Sequence, residues 1–306
     1  MIKDLIIIGG GPSGLTSALY ALRNNKTCLI IEKENFGGQI SISPRVENFP
    51  SIKEISGMQL ANNMYEQVEA LGCEFELDEC KQVSKTERGT FIVECTYECF
   101  EAKAVIISSG VKHRNLGVEN ETELIGRGIS YCAVCDGAFY KGEDVALIGS
   151  ANTALQYAIY LSSYCNKVYL VTRHQNFKGA KSLIKEVESK KNIIIHHNYQ
   201  VKKFLFGDTL KGLTLVNTDD SSDQFDIAVK GCFIAIGYIP DNKRFSSLVD
   251  LEDGFILTNE KMETKTKGLF AAGDCCKKDI RQLTTACSDG TIASLSAIDY
   301  IDSLGI

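Results

Sequence analysis

Two βαβ units limit what this chain can fold into more than any other feature of its sequence. The first has a strand-like apolar run at residues 4–8, a glycine-rich turn, a helical pattern at 13–24 and a second strand at 27–32. The same order of elements returns between residues 144 and 171. Because each unit makes parallel strands joined by a crossover helix, the sequence predicts an α/β fold with two Rossmann-like domains.

The second domain is predicted to be inserted into the first. Residues 237–240, Gly-Tyr-Ile-Pro, follow the last strand-like run of the second unit and indicate a domain boundary. Beyond them lie a strand-like segment at 268–273 and a terminal helix from about Gln282. We expect these elements to complete the first domain.

Composition and charge exclude several classes of protein. A chain of 306 residues with 44% hydrophobic residues can form two ordinary domains with full cores. The net charge of −6 and the lack of a long basic stretch argue against nucleic acid as a partner. No run approaches the roughly 18 apolar residues of a membrane helix, and the first strand begins too close to Met1 for a secretory signal. We therefore expect a cytoplasmic protein with no membrane segment, whose twelve cysteines are mostly reduced thiols.

The glycine-rich turn of the first unit has the pattern G-x-G-x-x-G, directly after a strand and at the start of a helix. Its candidate cofactor-binding residues are Gly9, Gly11, Pro12, Ser13 and Gly14. Gly9 allows the tight turn, Gly11 lets the backbone approach a pyrophosphate, and Gly14 permits close helix packing. Glu32, which ends the next strand, can accept hydrogen bonds from ribose hydroxyls. This motif alone leaves FAD, NAD and a turn without a ligand as alternatives.

A distant second set of residues favours FAD. Its candidate cofactor-binding residues are Gly273, Asp274, Arg281, Gln282 and Leu283. An aspartate after a strand-ending glycine can hold polyol hydroxyls, and a helix start can face the pyrimidine edge of a flavin.

Along nearly its whole length the chain resembles the low-molecular-weight thioredoxin reductase family. The shared motifs, in the family's order, are GGGPSG at 9–14, GGQ at 37–39, VENFP at 46–50, CAVCDG at 132–137, AAGD at 271–274 and RQ at 281–282. One mild departure is Ser108-Ser109-Gly110, where the family usually has Ala-Thr-Gly.

The resemblance implies a domain plan, a cofactor and partners. FAD is expected to be held by residues 1–112 and 242–306, with an NADPH-binding-like domain inserted at 113–241. Further cofactor-binding residues implied by the family are Gly38, Gln39, Asn48 and Gly110. The implied partner is thioredoxin, and the implied assembly is a homodimer.

Cys132 and Cys135 have the spacing of a redox-active pair at a helix start, where the helix end stabilises the thiolate formed on reduction. A zinc site would need a second Cys or His pair, and the only other close thiols are the adjacent Cys275 and Cys276. By resemblance, Cys135 meets the flavin, Cys132 attacks the partner disulfide, and Asp136 is the acid/base. The alternative for Asp136 is a residue that only stabilises the helix start.

The inserted domain departs from the family at the motifs that bind NADPH. Where the family has G-x-G-x-x-A, this chain begins with Gly149 but has Ala151 as the middle residue, so a Cβ stands where the pyrophosphate is expected. The family's H-R-R-x-x-x-R keeps Arg173 but replaces its other arginines by His174 and Lys178. Both changes resemble the ferredoxin-dependent flavin thioredoxin reductases, a subgroup of the family.

The predicted function is therefore reduction of thioredoxin through FAD and the dithiol, with reduced ferredoxin as electron donor. NADPH bound at a degenerate site is the alternative donor. A non-enzymatic flavin-based redox sensor is a third possibility, which the dithiol disfavours because sensing alone needs no dithiol relay.

Overall fold

The computed structural model describes residues 2–305. The chain forms two compact units, a discontinuous unit made of Met1–Lys112 and Ile239–Ile306, and an inserted unit, His113–Tyr238. The inserted unit ends at Tyr238, three residues before the boundary expected at residue 241.

Asp241 and Asn242 account for the earlier boundary, because both are anchored in the discontinuous unit. The Asp241 carboxylate lies 3.0 Å from the Lys33 ammonium. Asn242 is fully buried and donates hydrogen bonds to the carbonyl oxygens of Gly254 and Cys275, at 2.9 and 3.0 Å.

The chain enters the discontinuous unit first. Its elements up to the first crossing are β1 (Lys3–Ile8), α1 (Pro12–Arg23), β2 (Cys28–Glu32), α2 (Gly57–Glu69), β3 (Glu74–Leu77), β4 (Cys80–Lys85), β5 (Phe91–Cys95), β6 (Cys99–Ile107) and β7 (Val111–His113).

The inserted unit follows. Its elements are β8 (Ile129–Ser130), α3 (Ala133–Asp136), β9 (Asp144–Ile148), α4 (Asn152–Ser162), β10 (Lys167–Thr172), α5 (Lys181–Ser189), β11 (Ile193–His197), β12 (Tyr199–Phe206), β13 (Leu210–Asn217), β14 (Gln224–Ala228) and β15 (Gly231–Ile234).

The chain then returns to the discontinuous unit. The remaining elements are β16 (Tyr238–Pro240), β17 (Leu251–Glu252), β18 (Phe255–Ile256), β19 (Leu269–Ala271) and α6 (Leu283–Ser303). None of the helices within residues 2–305 combines the length and the apolar character needed to cross a membrane.

The main sheet of the discontinuous unit has the strand order β3-β2-β1-β6-β5-β4. Strands β1, β2 and β3 are parallel, β1 is also parallel to β6, and β4, β5 and β6 are antiparallel neighbours. Strand β19 joins this sheet parallel to β6, so the returning segment completes the sheet that the first segment began.

The inserted unit repeats the parallel arrangement. Its main sheet has the order β11-β10-β9-β15-β8, and all its pairs are parallel. A separate antiparallel sheet consists of β12, β13 and β14. The predicted α/β class with two Rossmann-like domains, one inserted into the other, is therefore confirmed.

The central strands are largely apolar because both faces of each sheet are covered. In β1, Ile6 and Ile8 face one hydrophobic cluster, while Leu5 and Ile7 face the other. All four side chains are almost completely buried.

Helices α1 and α6, which come from opposite ends of the chain, pack unusually closely through small residues. A Cβ placed on Gly290 would lie 2.3 Å from the Ser13 carbonyl oxygen. The Ser17 hydroxyl donates to the Gly290 carbonyl oxygen at 3.0 Å, and the Ser294 hydroxyl donates to the Ser17 carbonyl oxygen at 2.8 Å. The contact joins the two sequence segments of the discontinuous unit.

We expect Gly290→Ala to lower the free energy of unfolding by about 3 kcal/mol, because the overlap with backbone outweighs the ~1 kcal/mol gain in helix propensity. Chemical denaturation measures the loss. Leu295→Ala, at an exposed position of the same helix, is the control and should change stability by less than about 0.5 kcal/mol. A Gly290→Ala protein as stable as the parent would contradict the close packing.

Candidate functional site

The glycine turn between β1 and α1 has two glycines that the fold requires. A Cβ on Gly9 would lie 2.2 Å from the Ser108 carbonyl oxygen, and one on Gly14 would lie 1.9 Å from the Gly9 carbonyl oxygen. Gly9 also has a φ of +113°. For a Cβ on Gly11, the nearest atom is the Cα of Gly38 at 3.9 Å. Gly11 thus leaves space at the start of α1, where the backbone can approach a pyrophosphate.

Pro12 is the first residue of α1, where its missing N–H leaves no hydrogen bond unmade. Gly11, the residue before it, has no side chain that could cap the helix. The start of α1 therefore offers its backbone N–H groups to a ligand, as the motif predicts.

Glu32 lies at the end of β2 and faces the same turn. Its Oε2 accepts a hydrogen bond from the Gly10 backbone N–H at 2.8 Å, and its Oε1 accepts one from the Glu34 N–H at 2.9 Å. Each carboxylate oxygen can accept a second hydrogen bond. Glu32 can therefore hold a ribose hydroxyl while it fixes the turn.

Ser13 brings the two sequence motifs together. Its hydroxyl donates to the Ser108 hydroxyl at 3.2 Å. A Cβ on Gly273 would lie 2.5 Å from the Ser13 Oγ, and Gly273 has a φ of +82°. Glycine at 273 is therefore needed both for the turn and for the approach of the returning segment to α1.

Asp274 is a partly buried acid with capacity to accept hydrogen bonds. Burial raises the pKa of Asp274, and the nearby cations of Lys278 and Arg281 oppose that rise. Its Oδ1 is buried and accepts no hydrogen bond from any residue between 2 and 305; the Lys278 ammonium lies 3.9 Å away. A buried oxygen that accepts no hydrogen bond from those residues is suited to accept one from the hydroxyl of a polyol chain.

Asp289 in α6 is a residue that the sequence motifs did not identify. Its carboxylate accepts a hydrogen bond from the Gly273 N–H at 3.1 Å and also binds the Lys278 ammonium. It thereby fixes the turn that carries Asp274. The signal in the sequence is weak, because an aspartate inside a helix is usually a solvated residue.

Arg281 is engaged by its own loop. Its guanidinium donates to the carbonyl oxygens of Lys278 at 2.9 Å and Cys276 at 3.3 Å, and it lies 4.3 Å from the centre of the Phe255 ring. The side chain, predicted to contact the cofactor, thus holds the segment between Asp274 and α6 in place.

Gln282 caps α6, whose first residue is Leu283. The side chains of Gln282 and Thr285 form a capping box, with the Thr285 hydroxyl accepting from the Gln282 N–H at 3.1 Å. Asn48 donates to the Gln282 Oε1 at 3.4 Å. The structure therefore brings Asn48 together with the start of α6.

Gln39 and Gly110 lie at the other side of the turn. The Gln39 amide donates to the carbonyl oxygen of Val111, next to Gly110, which has a φ of +63°. Gly38 faces Gly11. Together with Glu32 and Asp274, these residues form a set of donors, acceptors and open backbone that fits a flavin dinucleotide.

The inserted unit contains a disulfide between Cys132 and Cys135, whose Cα atoms are 5.3 Å apart. Cys132 is the N-cap of α3, and its Sγ accepts the Cys135 backbone N–H at 3.1 Å. Ala133 is fully buried beneath the pair, while Cys135 is exposed. A thiolate formed on Cys132 would keep this hydrogen bond, which favours the charged form.

Asp136, at the end of α3, is coupled to the dithiol through Ser130. The Ser130 hydroxyl donates to the Asp136 Oδ2 at 2.6 Å and accepts from the Cys132 N–H at 3.0 Å. Burial raises the pKa of Asp136, and the Ser130 hydrogen bond opposes that rise. Ser130 was not identified from the sequence, because it lies outside the C-x-x-C-D motif.

The turn between β9 and α4 keeps the first glycine of its motif. A Cβ on Gly149 would lie 2.5 Å from the Ala235 carbonyl oxygen. Ala151 is the N-cap of α4 and is exposed, so its methyl group faces the space in front of the helix. The backbone of Lys178 folds back onto this turn: its backbone N–H donates to the Ser150 carbonyl oxygen at 2.8 Å.

A group of basic side chains follows β10. Arg173 and Lys178 are exposed, and His174 lies between them. Desolvation lowers the pKa of His174, and the charges of Lys178 and Arg173 lower it further. The end of β10 is thus electropositive, the opposite of the acidic strand end at Glu32.

Comparison with known proteins identifies the family of the chain. The sequence matches the family described as pyridine nucleotide-disulphide oxidoreductase over residues 3–290. It is 37% identical to the thioredoxin reductase of Bacillus subtilis (strain 168) over 305 residues, which cover 99% of this chain and 96% of that protein. The chain belongs to the low-molecular-weight thioredoxin reductase family.

Other members of the thioredoxin reductase family show the same likeness. The thioredoxin reductase of Mycoplasma pneumoniae is 38% identical over 303 residues, 98% of this chain and 96% of that protein. The crystal structure of thioredoxin reductase from Streptococcus pyogenes MGAS5005 superposes with a TM-score of 0.94 at 35% identity, covering 99% of each chain. Family membership confirms the expected FAD. These relatives give no support to the ferredoxin-dependent subgroup predicted from the sequence.

We expect Ser130→Ala to raise the pKa of Asp136 further, because the variant removes a hydrogen bond that stabilises the carboxylate. Infrared titration of the Asp136 carboxyl group in the FAD-loaded enzyme should show protonation persisting to higher pH than in the parent. Asp136→Asn identifies the signal by abolishing it. An unchanged or lowered titration point in Ser130→Ala would show that Ser130 does not control this carboxyl group.

Proposed function

We propose that this protein is a thioredoxin-disulfide reductase that uses FAD and the Cys132–Cys135 pair. The observation that carries the proposal is the disulfide of the inserted unit, with a half-buried acid linked to it through Ser130. The flavin-binding residues of the discontinuous unit and the names of the relatives support the same activity.

Bound FAD would supply the two electrons that open the disulfide. Cys132 is the thiol better suited to attack thioredoxin, because the Cys135 N–H points at its sulfur. Attack by the Cys132 thiolate on a thioredoxin disulfide gives a mixed disulfide and releases one thioredoxin thiolate. Cys135 then attacks Cys132, which restores the internal disulfide and releases the second thioredoxin thiolate.

Asp136 is proposed to hold the proton that these thiolates require. Its raised pKa increases the fraction of protonated carboxyl group near neutral pH, relative to an exposed aspartate. Ser130 touches both the Asp136 carboxylate and the Cys132 backbone, so it positions the acid beside the dithiol.

We expect Cys135→Ser to retain FAD and to lose turnover with thioredoxin by about 10⁴-fold or more, since the internal disulfide cannot form. Flavin absorbance and steady-state reduction of thioredoxin disulfide measure the two quantities. Cys287→Ser, a half-buried thiol in α6, is the matched control and should keep both. Turnover by Cys135→Ser at the parent rate would refute the assignment.

We propose NADPH rather than ferredoxin as the electron donor. Gly149 keeps the turn in front of α4, and the basic side chains after β10 suit a 2′-phosphate. Ala151 adds one methyl group to this surface, which weakens binding of the pyrophosphate without closing the helix start. The relatives carry the name thioredoxin reductase and supply no argument for ferredoxin.

We expect Ala151→Gly to lower the KM for NADPH by about tenfold, equivalent to ~1.4 kcal/mol, and Arg173→Ala to raise it by a similar factor. Arg173→Ala should leave the KM for NADH unchanged, because NADH has no 2′-phosphate. Lys191→Ala, an exposed position after α5, is the control. Steady-state reduction of thioredoxin disulfide measures the KM values, and anaerobic mixing with NADPH or reduced ferredoxin shows which donor reduces the flavin. Reduction of the flavin by ferredoxin but not by NADPH would reject NADPH as the donor and favour ferredoxin.

The cytoplasmic location and the homodimer stay predictions. A non-enzymatic flavin-based redox sensor is the weaker alternative, because the relay from disulfide to acid would then have no purpose.

A further inference from the structure

A second pair of cysteines lies across two neighbouring strands of the discontinuous unit. In the antiparallel pairing of β4 with β5, Cys80 is directly opposite Cys95, and a bulge at Lys81 follows. The Thr96 N–H points toward β4 and donates to the Glu79 carbonyl oxygen at 3.1 Å, whereas the Cys95 N–H points away from β4 and donates to the Glu98 carbonyl oxygen at 2.8 Å. Cys80 and Cys95 therefore occupy a non-hydrogen-bonded position of the ladder.

Geometry at such a position suits a disulfide. The Cα atoms of a non-hydrogen-bonded antiparallel pair are about 4.5 Å apart, which lies within the span of natural disulfides. Side chains directly opposite one another point to the same face of the sheet. The two thiols can therefore join without a change in strand register.

The two cysteines differ in access to solvent. Cys80 is 3% exposed and packs with Val83, Phe91 and Val93 in the core. Cys95 is half-buried at the edge of the same cluster. A small oxidant can reach Cys95, whereas a folded partner protein cannot reach Cys80.

The surroundings of the pair favour loss of one proton from the two thiols, with the remaining proton held between the two sulfurs. A hydrogen bond from the Cys95 thiol lowers the pKa of Cys80, and the charge of Arg244 lowers it further against the effect of burial. The Arg244 guanidinium also donates to the Cys80 carbonyl oxygen at 2.8 Å, which fixes it next to this residue. For Cys95 the same hydrogen bond raises the pKa. Thiolate character is what makes a cysteine pair reactive toward oxidants.

We propose that Cys80 and Cys95 form a second redox-active site, distinct from Cys132–Cys135, which a hydroperoxide converts into a cross-strand disulfide. Transfer of the shared proton from Cys95 to Cys80 first places the thiolate on the accessible Cys95. The hydroperoxide oxidises this thiolate to sulfenic acid and is reduced to hydroxide or an alkoxide, which takes the proton from Cys80 to become water or an alcohol. The Cys80 thiolate then attacks the Cys95 sulfur, the S–S bond forms, and hydroxide leaves, which takes up a proton to become water. Two thiols lose two electrons in all, and two electrons reduce the peroxide bond.

Cys99 provides a matched control in the same hairpin. It begins β6 and is more exposed than Cys95, so it meets oxidants at least as readily. Its cross-strand partner is Glu94, and it therefore projects from the face opposite to that of Cys95. Cys99 is therefore accessible to oxidants but has no thiol opposite it, so it tests whether accessibility alone is enough for oxidation.

The experiment treats the FAD-loaded enzyme, with Cys132–Cys135 oxidised and no electron donor present, with graded hydrogen peroxide. Free thiols are then counted after denaturation, and cross-linked peptides are sequenced by mass spectrometry. We expect the ten free cysteines to lose two thiols and a Cys80–Cys95 linkage to appear, reversibly with dithiothreitol. Cys99→Ser should also lose two thiols and form the Cys80–Cys95 linkage. Cys95→Ala should lose no thiol. Cys95→Ala is preferred to a substitution of Cys80 because Cys95 is only half-buried, so the fold should be kept. Retained FAD absorbance checks that the variant is folded.

Three results would overturn the proposal: a linkage that contains Cys99, the same thiol loss in Cys95→Ala, or irreversible oxidation without a cross-link. None of these results depends on the electron donor or on thioredoxin. The site and the proposed reductase activity can therefore fail separately.

Discussion

The contact between α1 and α6 is the interaction on which the flavin site depends. Helix α1 begins at the glycine turn, and α6 begins beside Asn48, more than 200 residues later in the chain. Gly290 lets the two backbones meet, and the Ser17 and Ser294 hydroxyls join them through buried hydrogen bonds. A Cβ at position 290 would overlap the Ser13 carbonyl oxygen, at 2.3 Å. Small residues at this contact therefore support the proposed binding site without contacting the ligand themselves.

Two half-buried carboxyl groups, Asp274 and Asp136, have different neighbours in the two units. Asp274 is surrounded by cations and by Asp289, which hold the turn while its Oδ1 remains a buried acceptor. Asp136 has the neutral hydroxyl of Ser130 as its hydrogen-bond donor. Burial raises the pKa of both groups; the charges of Lys278 and Arg281 oppose the rise at Asp274, and the Ser130 hydroxyl opposes it at Asp136. The buried Oδ1 of Asp274 suits a ligand hydroxyl, and the position of Asp136 beside the dithiol suits the proposed transfer of a proton.

The electron donor shows where sequence patterns reach their limit. The replacement of a glycine by Ala151 and of arginines by His174 and Lys178 led to the prediction of ferredoxin. In the folded unit, Lys178 returns to the turn before α4 and adds its charge to that of Arg173. A substitution that weakens one contact of a site does not remove the electrostatic field that the other side chains produce. The ferredoxin prediction rests on the residues that are replaced, and the proposal of NADPH rests on the charges that remain.

The sequence by itself determined the α/β class and the two Rossmann-like units, because these follow from local periodicity. It also determined the C-x-x-C pair and the glycines at 9, 14 and 273, because these belong to short motifs in which glycine provides a turn or a close contact. The second boundary was three residues late, since nothing local shows that Asn242 is buried against Gly254 and Cys275. Only the tertiary structure decided the roles of Ser130 and Asp289 and the pairing of Cys80 with Cys95. Those contacts depend on strand register and on how distant segments pack, and a single sequence does not encode either in a readable local pattern.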